Sequence, residues 1–282
     1  MKKNISFYIP AYNAEKTIKK SIISIQNQSI TPDEIILIDD CSKDKTVEIA
    51  RSEFPNIKIF INKENMGLGY NRNSAIDRSR NDIIAAIDAD VILDKYWLEN
   101  LIPEIEKKNI LMCGGRMDEQ LIENKINLWR AKYYSQNWGN KLVLNPPFLF
   151  GCNTLLKKSA WKKVNGYDEK LKTNGEDIDF IHKIKTGTDG QIIYQPSAKC
   201  YHLQDDSIET LSKRVWRYHS FAYKIKEPSI KKFFKLSIKQ SKFFFQRFFK
   251  SLMELDLSGI SISFKVLINF IKLEYIFLNK KK

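Results

Sequence analysis

The chain has 282 residues, 43% of them hydrophobic, and a formal charge of +14, which provides enough apolar material for one good core with an appendage and excludes a disordered chain. Four cysteines (Cys41, Cys113, Cys152, Cys200) lie scattered without CxxC spacing, and the charged start "MKKNISFYIP" runs straight into a strand-like segment, as expected of a reduced, cytoplasmic chain without a secretory leader. Lys, Asp or Glu interrupts every apolar run short of the roughly 18 residues a membrane-spanning helix needs, so a span is not expected.

From the N-terminus, apolar runs alternate with segments of helical period: "ISFYIP", "AEKTIKKSIISIQNQ", "EIILIDD", "DKTVEIARSEF", "IKIFIN", "GYNRNSAIDRS", "DIIAAIDAD" and "KYWLENLIPEIEKK". The pattern predicts βαβαβαβ, an α/β fold with a Rossmann-like, mainly parallel central sheet and helices on both faces. The carboxyl ends of such strands share one edge, where open α/β sheets bind ligands. Pro10, Ala11, Tyr12 and Asn13 close the first strand, Asp39 and Asp40 the second, Asn62 and Asn65 follow the third, and Asp88, Ala89 and Asp90 close the fourth.

A single acid or Asn at a strand end is ordinarily a helix cap or turn former, as Asp44 and Asp94 are expected to be. A DxD beside a DD pair is different, because like charges repel unless something positive stands between them. A divalent cation on a nucleoside diphosphate meets that need, since magnesium or manganese is commonly held by one or two carboxylates plus phosphate oxygens.

Further along, "INLWRAKYYSQNWGNKLVLNPPFLFGCN" is rich in aromatics, and Trp129, Tyr133, Tyr134 and Trp138 are candidates for an acceptor side; ordinary packing accounts for aromatics equally well. "NGEDIDF" offers Glu176, Asp177 and Asp179. On a helix starting near Gly175, at most one of the two aspartates faces the crevice, with Glu176 nearby. A helix N-terminus attracts acids without any chemistry, which is the bland account of the three.

The tail is distinct. Residues 228–282 carry twelve Lys or Arg against three acids, so a boundary is expected at Glu227/Pro228, dividing a 1–227 domain from a 228–282 tail. In "IKKFFKLSIKQSKFFFQRFFKSLMEL", Phe234, Ile238, Phe245, Phe248, Phe249 and Leu252 recur at helical spacing with lysines between them. That is a basic amphipathic helix of the kind that lies on an anionic membrane surface, or else a helix packed on the catalytic domain with its lysines wet.

Taken in order, "SFYIPAYNAEKTIKKSIISIQNQ", "EIILIDDCSKDKT", "NKENMGLGYNRNSAI", "IAAIDADV" and "GYDEKLKTNGEDIDF" resemble the family-two glycosyltransferases of the GT-A fold, over roughly Ile5 to Tyr223. The resemblance implies a nucleotide-sugar site built from Pro10, Ala11, Tyr12, Asn13, Asp40, Asn65, Gly67, Arg72, Asp88 and Ala89, with Asp40 accepting from the base. It implies Asp90 as a metal ligand for Mn2+ or Mg2+, with His202 in "AKCYHLQDD" as a second. It makes Asp177 the general base and places Gly151 to Asn153 beside the donor sugar; Glu176, next to that base, and Trp138, in the aromatic stretch, are substrate-binding candidates from their own positions. Where relatives often carry Arg after the ED pair, this chain reads "FIHKIK", with His182, Lys183 and Lys185. The processive QxxRW signature is absent.

The expected activity is therefore an inverting, metal-dependent transfer of one sugar to a glycan or lipid-linked acceptor in cell-envelope polysaccharide synthesis, at the inner face of the membrane. A nucleotidyltransferase acting on sugar phosphates would carry a Gly-rich loop after the first strand, where "PAYNAEK" stands instead. A dehydrogenase needs a third glycine that "GLGYNR" lacks. A non-enzymatic nucleic-acid- or membrane-binding protein explains the basic tail and leaves the DxD and ED pairs unexplained; no nucleic-acid partner is expected.

Overall fold

The structure, a computed structural model, describes residues 4–221 and 229–279, and the boundary expected at Glu227/Pro228 lies outside them. Two compact units are formed, one from Met1–Gln120 with Gln136–Leu203 and the other from Leu121–Ser135 with Gln204–Lys282.

In the first unit, strands and helices alternate as β1 (Ile5–Ala11), α1 (Ile18–Gln26), β2 (Glu34–Asp39), α2 (Thr46–Glu53), β3 (Lys58–Ile61), α3 (Leu68–Arg78) and β4 (Ile83–Ile87). The four strands lie parallel in the order β3-β2-β1-β4. β1 and β2 are buried throughout because both faces are covered. Phe7, Ile9, Leu37, Ala85 and Ile87 face α1, α2 and the later α4 on one side. Tyr8, Ile36, Ile38, Ile84 and Ala86 face α3 and the later α7 on the other.

Beyond β4 the sheet turns antiparallel. β5 (Val91–Leu93), α4 (Trp97–Ile105), β6 (Ile110–Glu119), β7 (Val143–Leu144), β8 (Asn153–Lys157), α6 (Lys158–Lys163), α7 (Glu176–Gly187) and β9 (Gln191–His202) complete the unit, with α5 (Lys125–Tyr133) belonging to the second. β8 runs antiparallel to β4 and β6, and β9 runs parallel to β6 and antiparallel to β5 and β7. The sheet is thus mixed, its parallel half being the one whose alternation the sequence displays. Pro196, which lacks an N–H, falls where the β6–β9 ladder skips from Gly115↔Gln195 to Arg116↔Lys199.

The second unit is helical: α5, α8 (Ile208–Phe221), α9 (Ile230–Met253) and α10 (Leu257–Asn279). Trp129, Leu211, Val215, Leu236, Ile262, Val266 and Phe270 form its core. The Asn124 side chain caps α5 by accepting from Ile126 N–H at 2.9 Å. The Arg130 guanidinium pairs with the fully buried Asp206 carboxylate. Arg247 lies over Trp129, Tyr133 and Tyr134, 4.7 Å from the Tyr134 ring centre. Trp129, Tyr133 and Tyr134 are therefore core aromatics of this unit, held around an arginine, and packing is the account that applies to them.

Candidate active site

β4 ends at Ile87, and Asp88–Ala89–Asp90 turns tightly, with Val91 N–H donating to the Asp88 carbonyl at 3.2 Å. The Ser21 hydroxyl donates to the Ala89 carbonyl and Leu203 N–H to the Asp90 carbonyl, both at 2.8 Å. α1 and the end of β9 therefore hold the DxD turn from two sides.

His202 arrives by strand register, opposite Val91 of β5 and Glu119 of β6. Its Nε2 lies 3.3 Å from Asp90 Oδ2 and its Nδ1 3.2 Å from Glu119 Oε2. Burial opposes protonation of the ring, but the Asp90 and Glu119 carboxylates outweigh it and lift the pKa to about 9. Glu119, buried with the ring, was not foreseen; its signal is an acid closing the apolar run "ILMCGGRMDE", the same sign that marks Asp88.

The Asp90–His202 pair fits a cation site, because two adjacent ligands of an octahedral ion at about 2.1 Å stand about 3.0 Å apart. Among the described residues no group of three or more His, Cys, Asp or Glu could hold a metal ion. A partial protein shell completed by phosphate oxygens and water is the usual arrangement for magnesium.

Arg72, 1% exposed, organises the floor of the site. Nη2 donates to Asp88 Oδ1 at 3.1 Å, Nε to Glu176 Oε1 at 3.3 Å, and Nη1 to the Gly151 carbonyl at 2.8 Å and the Tyr8 hydroxyl at 3.4 Å. Every guanidinium nitrogen thus has a protein partner. Burial and the neighbouring Asp177 raise the Glu176 pKa, with Arg72 pulling the other way; Asp88 is raised by burial against the same arginine.

α7 starts after Gly175, whose φ of 85° is a left-handed conformation that glycine adopts without strain. This start places Asp177 half-buried, its Oδ2 accepting from Gly151 N–H at 3.1 Å. Gly151 thus bonds Arg72 through its carbonyl and Asp177 through its N–H, linking the DxD turn to the ED turn. A Cβ at Gly151 would stand 2.9 Å from Asp177 Cβ and 3.1 Å from Arg72 Nη2, so only glycine allows that approach. Asp179 is buried and paired with Lys183 at 3.1 Å. Lys183 also donates to the Gly166 carbonyl, and Lys185 donates to the Pro146 carbonyl. Of the three acids, Asp177 alone meets the Gly151 turn while keeping partial exposure.

At the other end of the edge, Asp40 Oδ1 accepts from Met66 N–H at 2.8 Å and Asn62 Nδ2 at 2.9 Å, and Oδ2 accepts from Gly67 N–H at 2.9 Å. Asp40 folds the Asn65–Gly67 loop over itself. Asp39 accepts from Ser42 N–H at 3.0 Å through Oδ2, while its buried Oδ1 has no hydrogen-bond partner. Pro10 and Ala11 are buried, and Tyr12 and Asn13 are exposed, Asn13 Oδ1 accepting from Lys43 N–H. Asn153 is not brought to the cleft: it is fully buried, with Oδ1 accepting from Trp97 Nε1 at 2.5 Å. Trp138 packs edge-on against Phe148 and donates to its carbonyl at 2.8 Å.

Residues 6–164 match the model for glycosyl transferase family 2, and residues 135–205 match one described as the N-terminal domain of galactosyltransferase. Chondroitin synthase of Escherichia coli is 29% identical over 64% of this chain and 26% of its own length. The putative glycosyltransferase EpsE of Bacillus subtilis is 28% identical over 76% of this chain and 77% of its own length. The chain spans less than half the length of several curated relatives it matches. Among solved structures, a mannosyltransferase from Pyrobaculum calidifontis in complex with GDP-Man and Mn2+ superposes with a TM-score of 0.65 at 13% identity, over 98% of this chain and 88% of that one. S. aureus TarS 1-349 does so with a TM-score of 0.62 at 16% identity, over 97% and 90%. The fold and the site together define a glycosyltransferase with a GT-A core. The chain belongs to glycosyl transferase family 2.

Proposed function

We propose that this chain transfers one sugar from a nucleotide-diphosphate sugar to a hydroxyl of a glycan or lipid-linked acceptor, with inversion, in cell-envelope polysaccharide synthesis. It acts attached peripherally to the cytoplasmic face of the membrane. The observation that carries this reading is the joining of the DxD turn to the ED turn through Arg72 and Gly151, beside an Asp90–His202 pair that fits a cation. The names of relatives support it: chondroitin synthase, and a minor teichoic acid biosynthesis protein of Bacillus subtilis.

In this mechanism Asp90 and His202 would hold Mg2+ or Mn2+, which when bound would supply Lewis-acid stabilisation of the charge on the departing diphosphate. Asp88, fixed by Arg72, faces the ribose or donor sugar. Asp177, oriented by Gly151 N–H, takes the proton of the acceptor hydroxyl as that oxygen bonds the anomeric carbon and the bond to the diphosphate breaks, its electron pair leaving with the phosphate. Glu176 works through Arg72 and is a positioning residue. Asp40 shapes the nucleotide end by holding the Asn65–Gly67 loop.

The test is a panel of nucleotide sugars incubated with the protein, with and without Mn2+. Release of nucleoside diphosphate that requires metal is expected. Release of pyrophosphate instead would identify a nucleotidyltransferase and overturn the reading.

A further inference from the structure

α9 and α10 present large apolar side chains to solvent on one face each. On α9, Phe234, Ile238, Phe245 and Phe249 are each more than half exposed and Leu252 nearly so, at intervals that return to one side of a helix. On α10, Leu257, Phe264, Ile268 and Tyr275 repeat the pattern. Ring contacts join the two stripes: Phe264 meets Phe244 at 5.9 Å, Phe244 meets Phe245 at 5.4 Å and Phe248 at 6.0 Å, and Phe248 meets Phe249 at 5.5 Å. The buried Leu236, Gln240, Ile262, Val266 and Phe270 face the interior of the same unit. The aromatic stripe is therefore not that unit's core, and a continuous apolar surface of this extent marks an interaction site.

Charge identifies the occupant. Lys231, Lys235 and Lys242 on α9 and Lys265 and Lys272 on α10 are exposed. α9 has no acid along its length, and the single acid of α10, Glu274, is buried. A second copy of the chain would bring these lysines against their own equivalents across a twofold, where like charges repel. No helix among the described residues is long and apolar enough to cross a membrane. Exposed aromatics flanked by lysines, without a spanning helix, are the features of a surface that lies in the headgroup region of an anionic bilayer.

We infer that the α9–α10 pair docks flat on an anionic lipid surface, its Phe stripes entering the interface and its lysines meeting phosphate headgroups. This inference rests on the peripheral attachment proposed above and names the surface and lipid class responsible. It does not depend on sugar transfer.

Sedimentation of the full chain with phosphatidylcholine vesicles, with and without phosphatidylglycerol, tests it. Binding is expected to the anionic vesicles, weakened by added salt. Removing one exposed lysine, as in Lys235→Gln or Lys242→Gln, should lower partitioning about fivefold. Phe245→Ser and Phe249→Ser should each lower it about tenfold or more. These positions are exposed, so thermal unfolding should be unchanged, and nucleotide-sugar turnover in solution should also survive. Equal binding to neutral vesicles would overturn the inference, as would wild-type partitioning by the Phe245→Ser/Phe249→Ser double variant. So would a lipid-free dimer, seen by light scattering, that this double variant dissolves. Because sedimentation needs neither donor nor acceptor, its failure leaves sugar transfer standing, and failed transfer leaves vesicle binding standing.

Discussion

Arg72 and Asp88 form an ion pair at the floor of the cleft, Nη2 to Oδ1 at 3.1 Å, and the same guanidinium holds Glu176. The pair answers how acids can crowd one sheet edge. The protein supplies its own cations, Arg72 beneath Asp88 and His202 beside Asp90, so the cluster is tolerable before any ligand binds. The sequence points to a divalent cation for that role; a metal held by His202 would take its neutral imidazole and so would replace the charge of that ring.

Removing Arg72 should therefore cost stability as well as activity. Arg72→Ala strands Asp88 and Glu176 without their cation and should lose about 3–5 kcal/mol of unfolding free energy, read from urea denaturation. Arg72→Lys should recover only part, since one ammonium cannot reach partners that a planar fork spans. An unchanged urea midpoint in Arg72→Ala would show that the cluster does not need it.

Glu119 orients the imidazole that faces Asp90. Glu119→Gln should weaken Mn2+ binding, followed by electron paramagnetic resonance in the presence of a nucleoside diphosphate, by about 10–100-fold. Asp90→Ala should weaken it further. Equal affinity in Glu119→Gln and the parent would reduce Glu119 to a packing role.

Asp177→Asn should bind donor normally and lose turnover by about 100-fold or more, because an amide cannot take the hydroxyl proton. Gly151→Ala should give a similar loss through a different route, pushing the carboxylate off its position. Isothermal titration of the donor separates these variants from ones that simply fail to bind. Retained turnover in Asp177→Asn would remove the base assignment.

The helical unit should be acid-sensitive. His219 packs against Phe243 and Phe270 with Nε2 3.3 Å from the Tyr134 hydroxyl. Burial, reinforced by Lys239 and Arg247, lowers its pKa from 6.5 to about 4. A folded-state pKa below the unfolded one gives stability that is complete above pH 6.5 and lost as pH falls toward 4. At pH 5 the loss is on the order of 2 kcal/mol relative to neutral pH. His219→Phe should flatten the pH dependence of thermal unfolding across that window; an identical slope in the variant would count against the histidine.

The parallel half of the sheet is legible because β1, β2 and β4 are apolar along almost their whole length and local helices separate them. The antiparallel half is not. β6 carries Gly114 and Gly115, β8 begins with Asn153 and Thr154, and β9 contains Pro196, so none shows a clean period, and they pair only with strands distant in sequence. Asp88, Asp90 and Asp177 are legible as strand-end or helix-start acids. Glu119 is missed with its strand. Arg72 was expected at the nucleotide, yet its donors are spent on Asp88, Glu176 and Gly151, which a helical position alone does not reveal. Asn153 and Trp129 illustrate the converse, since a polar or aromatic residue near a motif is as readily buried as presented.

β9 has partners on both sides, β6 along one edge and β7 then β5 along the other. A doubly paired strand cannot slide without breaking two ladders at once. The spacing of His202 from Asp90 is therefore indexed by backbone hydrogen bonds and not by a loop. Within 121–147, α5 carries Trp129 of the helical core and β7 pairs with β9, so length changes confined to 137–142 are the ones that leave both ladders of β9 intact, and loops grafted from relatives there are the natural way to change what the protein accepts.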